Sequence, residues 1–437
     1  MKHLLRLLGP GLLFVVAACS AAEEPENPTP NLAPTPAEEA EPTPPPEVRE
    51  GFVVSTPEAE GIDAAALEKL EAKAKAEHSE ALVIVKNGKL VYENYFGFAN
   101  EPLVAMSASK SFVSIAYGFL LAEKKIESLD EPVVKKLPAF AGDEKTSAWK
   151  SKVTYRHLLA QTSGLDPTRS FGQEADIEAK GNADACIFEP GTSWQYSNNG
   201  VDMLAAIAKH LAGKPMDEYL NEKLFRPLGI ADVEWMRDSK GVPRGAGEMF
   251  IRPVDMAKVG QTMLEAGKWK GEQIVPQGWS AESFAQSSAI EPLYGLLWWR
   301  DAPVKAVGLT GEVVAQWRGQ GLADETIAKV EPLVGKKYAD HKAFVAALQS
   351  RLTTTELYAL QDILVKGDHV PLYRNLEVGD LRSAYAAGWL GQFLVVAPEK
   401  NLVAVRMRRS RPADYEQGKK EVDGFQSFPM DVVKIVP

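Results

Sequence analysis

Cysteine is nearly absent from this chain. Its 437 residues hold two, Cys19 and Cys186, and with Cys19 directly after an N-terminal leader Cys186 has no partner left, so a disulfide framework is excluded. Histidine is scarce as well: there are six, none in a ligand spacing such as H-E-x-x-H, so neither a metal centre nor a cofactor is expected. Basic residues are outnumbered, 49 against 59 acidic, for a net charge of -10. No basic stripe interrupts that excess, which argues against nucleic acid as a partner. Long apolar runs are missing too, and the one near the start is too short for a membrane span.

That first run, residues 1–18, has a basic n-region (Lys2, Arg6), an apolar core over 11–16 and small residues before Cys19. It reads as a secretory signal. Residues 19–50 are rich in Pro, Glu, Thr and Ala, a composition that buries too little apolar surface to offset its ordering entropy, and read as a disordered tether. Extended as polyproline II, about thirty residues reach on the order of 90 Å. What remains, residues 51–437, suits one catalytic unit made of two subdomains.

Within it, Asp63 is placed to cap a helix running to about Ala76. Ala81–Lys86, Asn87-Gly88 and Lys89–Phe96 predict two strands joined by a type I′ turn. From about 120 to 280 helices and loops dominate, including a helical run over 201–211. An aromatic strand is expected at 294–299, a second hairpin at 391–397 and 401–407 around Pro398-Glu399-Lys400, and a short terminal helix from Pro429. Strands from both ends of the chain are expected to share one antiparallel sheet, with the helical middle beside it, an α+β arrangement. Between the late strands, residues 302–378 carry three helical patterns, 323–334, 340–350 and 354–365, and read as a lid or an appendage.

Chemistry gathers at Ser107-Ala108-Ser109-Lys110, which opens the apolar run 111–121. On a helix Ser107 and Lys110, three apart, share a face. Serine needs a base within hydrogen-bond reach, and a lysine desolvated by apolar surroundings can act as one, because burial disfavours its charged form. The alternative for the same residues is an N-cap serine and a solvated lysine. A second copy of the pattern, Ser147-Ala148-Trp149-Lys150, follows a polar stretch and reads as a surface segment. The second motif is Tyr196-Ser197-Asn198, after the turn Glu189-Pro190-Gly191 and before a helix. Other Y-x-N triplets begin at Tyr92, a packed strand aromatic, and Tyr373, in the helical insertion. His157 reads as a helix-surface or capping residue.

Ser107-x-x-Lys110, the stretch 157–165, Glu189-Pro190-Gly191 with Tyr196-Ser197-Asn198, and Gly388-Trp389-Leu390-Gly391-Gln392 fall in an order that resembles the serine β-lactamase-related family. That group takes in class C β-lactamases, DD-peptidases, esterases and 6-aminohexanoate-oligomer hydrolases. The resemblance covers about residues 55–300 and 380–437 and leaves 302–378 out. It implies a β-lactamase/transpeptidase-like fold with Ser107 as nucleophile, Lys110 as base and Tyr196 as proton relay, the split between the last two being open. Asn198 and Gly388 would line the site, and the backbone N–H groups of Ser107 and Trp389 would form an oxyanion hole. Where relatives carry Lys-Thr-Gly or His-x-Gly, this chain has Ala386-Ala387-Gly388, so that cation is missing. Ser109 is read as a local hydrogen-bonding residue.

Val16-Ala17-Ala18-Cys19 resembles a bacterial lipobox. It implies a lipid anchor on Cys19 and, with Ser20 following, outer-membrane retention. The expected function is an exported serine hydrolase acting on a small-molecule ester or amide. The alternatives are a β-lactamase or DD-peptidase, and a non-catalytic envelope protein on the same fold.

Overall fold

The computed structural model describes residues 47–142, 147–166, 176–366, 370–411 and 424–437. The leader, Cys19 and nearly all of the 19–50 segment lie outside them. The main sheet begins earlier than the sequence suggests, because β1 (Val48–Arg49) pairs with β2 (Phe52–Val54). The compact unit accordingly runs from Pro46 to Pro437, so the last residues of the expected tether belong to the folded body.

β3 (Ala81–Lys86) and β4 (Lys89–Asn94) form the expected hairpin. Asn87 and Gly88 both take positive φ, 53° and 74°, as a type I′ turn requires. β5 (Trp299–Asp301) lies at the far edge of the sheet. β6 (Val304–Gly308) and β7 (Arg374–Val378) form a separate two-stranded sheet. β8 (Ser383–Gly388), β9 (Gln392–Ala397) and β10 (Leu402–Met407) complete the main sheet. Its order is β1-β2-β4-β3-β10-β9-β8-β5, antiparallel except for β2 beside β4. Strands from the two ends of the chain therefore meet where β3 pairs with β10.

The central strands are buried on both faces. Val83 and Val85 pack into one core and Leu82 and Ile84 into the other, the period-two alternation of a pleated strand. α1 (Ala64–Ala76) starts at Asp63, whose carboxylate accepts the Ala66 N–H at 2.8 Å. The first core holds α2 (Lys110–Ala122), α3 (Asn198–Ala212) and α4 (Pro253–Leu264). α1 covers the other face with the terminal helix. Among the described residues no helix is long and apolar enough to cross a membrane.

The 302–378 segment has a hydrophobic core of its own. β6 and β7 are its stem, and α5 (Gly311–Gly319), α6 (Asp324–Val330), α7 (His341–Gln349) and α8 (Thr354–Lys366) bury Trp317, Phe344 and Leu348 between them. α5 carries no strong sequence signal, with glycine at both ends and two valines inside. Its Thr310 cap and the burial of Val313, Val314 and Trp317 hold it helical. The terminal helix, α9 (Phe428–Val432), falls where the sequence places it.

The expected strand at 294–299 is a correction. Only Trp299 belongs to a strand; residues 294–298 turn instead, Leu297 at φ 60° and the Gly295 N–H donating to the Trp298 carbonyl at 2.8 Å. The turn is held from outside, since Leu297 N–H donates to Leu159 O and the Ser111 hydroxyl to Leu297 O. None of those partners is near in sequence.

Candidate active site

α2 is preceded by a 3₁₀ turn, Met106–Ser109. Residues three apart eclipse in that geometry, so Ser107 and Lys110 point the same way, with Lys110 Nζ 3.0 Å from Ser107 Oγ. Lys110 is 2% exposed, donates to the Ala246 carbonyl at 2.5 Å and sits 4.9 Å from the centre of the Tyr196 ring. The alternative reading of a solvated lysine is therefore not met. Met106, just ahead of the serine, has φ 50°, a conformation that costs a non-glycine residue about 1–3 kcal/mol. Ser109 fixes it locally, its hydroxyl donating to the Met106 carbonyl at 2.5 Å.

Tyr196 is hung from one residue, Gln161, that the sequence does not single out. The Gln195 N–H donates to the Gln161 carbonyl at 2.9 Å, and the Ser197 N–H donates to Gln161 Oε1 at 2.7 Å. The tyrosine is thus clasped on both sides. Its ring stacks on Trp299, centroids 6.3 Å apart and planes 17° apart. Ser197 caps α3 by accepting the Gly200 N–H at 3.1 Å. Asn198, expected to line the site, is instead exposed at the first turn of α3 and is not in the cleft wall. The neighbouring Asn199 is buried and donates to the Asp166 carbonyl at 2.7 Å.

One turn along α3, Asp202 is buried and accepts the Ala246 N–H at 2.9 Å. The Ala246 main chain thus lies between this carboxylate and Lys110, its N–H facing the one and its carbonyl the other. Burial pushes the Asp202 carboxyl up to about 6, against the pull of that hydrogen bond and of the Lys110 and Arg244 charges.

The fourth wall is the β8–β9 turn. Gly388 lies against the turn carrying Ser107 so closely that a Cβ there would stand 2.4 Å from Ala105 O and 3.1 Å from Ala108 N. Trp389 follows, 41% exposed. Beneath the turn Arg406 is wholly buried. It donates to the carbonyls of Leu390, Gly391 (2.8 Å), Gly424 (3.1 Å) and Glu77 (2.7 Å) and to the Ser79 hydroxyl (2.8 Å). The Gly391 N–H donates to the Gly388 carbonyl at 3.0 Å. Gly391 itself, at φ 78°, leaves no room for a Cβ, which would fall 1.6 Å from Gly424 O.

These elements enclose a cavity of about 360 Å³ lined by Ser107, Tyr196, Trp299, Tyr385, Ala387, Gly388, Trp389, Phe393 and Gln426. None of these carries a formal charge, and four are tryptophan or tyrosine. Ala386, where relatives carry a cation, is 1% exposed and packs into the core. Trp298 is likewise core, whereas Trp299 belongs to the cleft.

His157 is a capping residue: its N–H donates to Thr154 Oγ1 at 3.2 Å and its Nδ1 accepts the Thr154 N–H at 3.3 Å. Burial lowers its pKa. The second S-x-x-K copy needs correcting, because Lys150 is fully buried and not at the surface. It donates to the Gly181 and Asn182 carbonyls, both at 2.7 Å, above the Phe140 ring. Those partners lie about thirty residues away and leave no local mark. Tyr92 is on β4, and Tyr373 packs on Phe344 in the insertion core; neither lines the cavity. Nor does any described residue of 302–378.

Comparison with known proteins bears on the family and the fold. PbpX of Bacillus subtilis is 26% identical over 229 residues, 43% of this chain and 55% of that protein. The 6-aminohexanoate-dimer hydrolase of Paenarthrobacter ureafaciens is 27% identical over 242 residues, 50% and 60% of the two chains. This chain thus spans little more than half the length of either relative. Among solved structures, EstCE1, a hydrolase with promiscuous acyltransferase activity, superposes with TM-score 0.53 at 16% identity, covering 85% of this chain and 98% of that one. That likeness shows the fold, an α+β β-lactamase/transpeptidase-like architecture. A family model described as Beta-lactamase matches residues 67–423, and the chain belongs to that family.

Proposed function

We propose that this protein is a serine hydrolase that cleaves an ester or amide through an acyl-enzyme on Ser107. The observation that carries the reading is the buried Lys110 amine 3.0 Å from Ser107 Oγ at the foot of the cavity. In the first half-reaction, Lys110 takes the Ser107 proton as Oγ bonds to the substrate carbonyl carbon. The N–H groups of Ser107 and Trp389 receive the charge that develops on the carbonyl oxygen. As the C–O or C–N bond breaks, the leaving group takes the Tyr196 phenolic proton, and Lys110 returns a proton to Tyr196. Water then adds to the acyl-enzyme by the same route in reverse.

The cleft favours an uncharged, apolar acyl group. A β-lactam carries a carboxylate beside its reactive amide, and no described residue lining this cleft offers a cation for it. Losing one charge-assisted contact costs about 1.5–3 kcal/mol, or roughly one to two orders of magnitude in binding.

Labelling with a fluorophosphonate, read by intact mass, is the test. Wild type should gain one adduct and Ser107→Ala none, while Ser147→Ala labels normally and Lys110→Met labels at least about a hundredfold more slowly. An adduct on Ser107→Ala would sink the assignment. Comparing kcat/KM on a p-nitrophenyl ester and a chromogenic cephalosporin then fixes the substrate class, and preference for the cephalosporin would establish a β-lactam-recognising enzyme instead. We further propose that the chain is exported and held by lipid on Cys19; Cys19→Ser should move it from the membrane to the soluble fraction.

A further inference from the structure

No described residue of the insertion lines the cavity, yet a buried arginine on it reaches toward the catalytic tyrosine. Arg374 opens β7 and is 6% exposed. Its Nη2 and Nε donate to the two oxygens of Glu312 on α5, at 2.7 and 3.1 Å. Nη2 also donates to the carbonyl of Trp194 at 3.2 Å, and Nη1 lies 3.7 Å from Glu291 Oε2. Glu312 accepts the Ser193 hydroxyl at 2.5 Å, and Gln316, one turn along α5, donates to that hydroxyl at 3.0 Å.

The insertion is therefore stitched to residues 193–194, just ahead of Tyr196, and to Glu291, on the loop leading to Trp299. Rings fill the space between. Trp194 meets Trp299 edge-on at 6.0 Å and Tyr294 at 5.5 Å, Tyr294 meets Trp299 at 4.8 Å, and Trp299 is the ring on which Tyr196 stacks. The insertion already has a core and a two-stranded stem to hold it. A buried ion pair adds little to net stability after desolvation, but a bidentate pair has a narrow geometry. Here that geometry is locked to a main-chain carbonyl two residues from Tyr196.

We propose that Glu312 and Arg374 are positioning residues. Through Trp194 and the Trp299 ring they hold the Tyr196 hydroxyl where it can deliver a proton to the leaving group. This rests on the role given to Tyr196 above, and it assigns the insertion a part in catalysis without substrate contact. A displaced Tyr196 matters when the departing oxygen or nitrogen needs a proton, as in an alkyl ester or an amide. It matters little for p-nitrophenolate, which leaves without one.

The test compares Arg374→Met, Arg374→Lys and Glu312→Gln with wild type on an alkyl ester and a p-nitrophenyl ester of the same acid. Arg374→Met and Glu312→Gln should lower kcat/KM, which reports the acylation step alone, on the alkyl ester by about ten- to a hundredfold. The loss in kcat/KM on the p-nitrophenyl ester should stay under about threefold, because its acylation needs no proton from Tyr196. Arg374→Lys, which keeps a donor for the Trp194 carbonyl, should recover part of the loss. Equal losses on both esters, or none on either, would overturn the proposal. If Arg374→Met does not fold, the same ratio is read from Glu312→Gln, which keeps the side-chain shape, and a ratio of one there overturns it equally. Absence of a wild-type fluorophosphonate adduct would instead overturn the hydrolase reading beneath it.

Discussion

Replacing Gly388 by alanine asks how closely the nucleophile and the oxyanion donors must be held. The new Cβ would start 2.4 Å from Ala105 O, 3.0 Å from Met106 Cβ and 3.1 Å from Ala108 N. Carbon contacts settle at about 3.5 Å, so the end of β8 and the 3₁₀ turn carrying Ser107 must part by about 1 Å. All three neighbours are main chain or Cβ, and no flexible side chain can swing aside. Overpacking of this kind costs about 1–3 kcal/mol of stability, a few degrees in Tm for a protein of this size. The kinetic cost should be larger, because the shift separates the Ser107 and Trp389 N–H groups, and losing one oxyanion donor costs about 10²–10³ in kcat. Stopped-flow measurement of the p-nitrophenolate burst, with circular dichroism on the same sample, reads both quantities. A burst within threefold of wild type on a folded Gly388→Ala protein would refute the claim that this contact sets the oxyanion geometry.

Gln161→Met, which removes the acceptor for the Ser197 N–H, should lower kcat about tenfold and stability by about 1–2 kcal/mol while Ser107 still takes up fluorophosphonate; kinetics and urea midpoints measure the two. Asp202 predicts a pH dependence of stability. Its carboxyl is raised to about 6 in the folded protein by burial, so the native state holds that proton more tightly than the unfolded chain does. The contribution is complete below the unfolded value near 3.8 and is lost as pH rises to 6, about 3 kcal/mol in all. Asp202→Asn, which can still accept the Ala246 N–H, should lack that slope in urea midpoints taken at pH 4, 5 and 7.

Features written in neighbouring residues were legible before any coordinates. The Asn87-Gly88 turn with its two flanking strands and the Asp63 cap are local choices between few backbone states. The approach of Lys110 to Ser107 follows from their spacing of three. What escaped the sequence depends on distant partners. Lys150 is buried by carbonyls at 181–182, the 294–298 turn is fixed by Leu159 and Ser111, and α5 is helical because a core from four helices closes over Trp317. Gln161 lay within a stretch already of interest, but its clasp on Tyr196 needs a left-handed φ of 62°, which glutamine gives no reason to expect. Asn198 shows the converse, a triplet whose last member the helix start turns outward.

Arg406 gives the floor of the cleft a direction. Its guanidinium donates to the Leu390 carbonyl; the N–H of that same peptide is Gly391's, which donates to the Gly388 carbonyl; and the N–H of that second peptide is Trp389's. Two peptide dipoles are thus coupled head to tail between a buried charge and the mouth of the cleft, each polarising the next. Such a column answers a negative charge at its tip and nowhere else. It rewards the transient anion on a carbonyl oxygen during bond formation and gives nothing to a permanent carboxylate lying elsewhere on a ligand. On the proposed reading the cleft has a field aimed at the reacting oxygen, while no described residue lining it offers a cation to an acidic substrate.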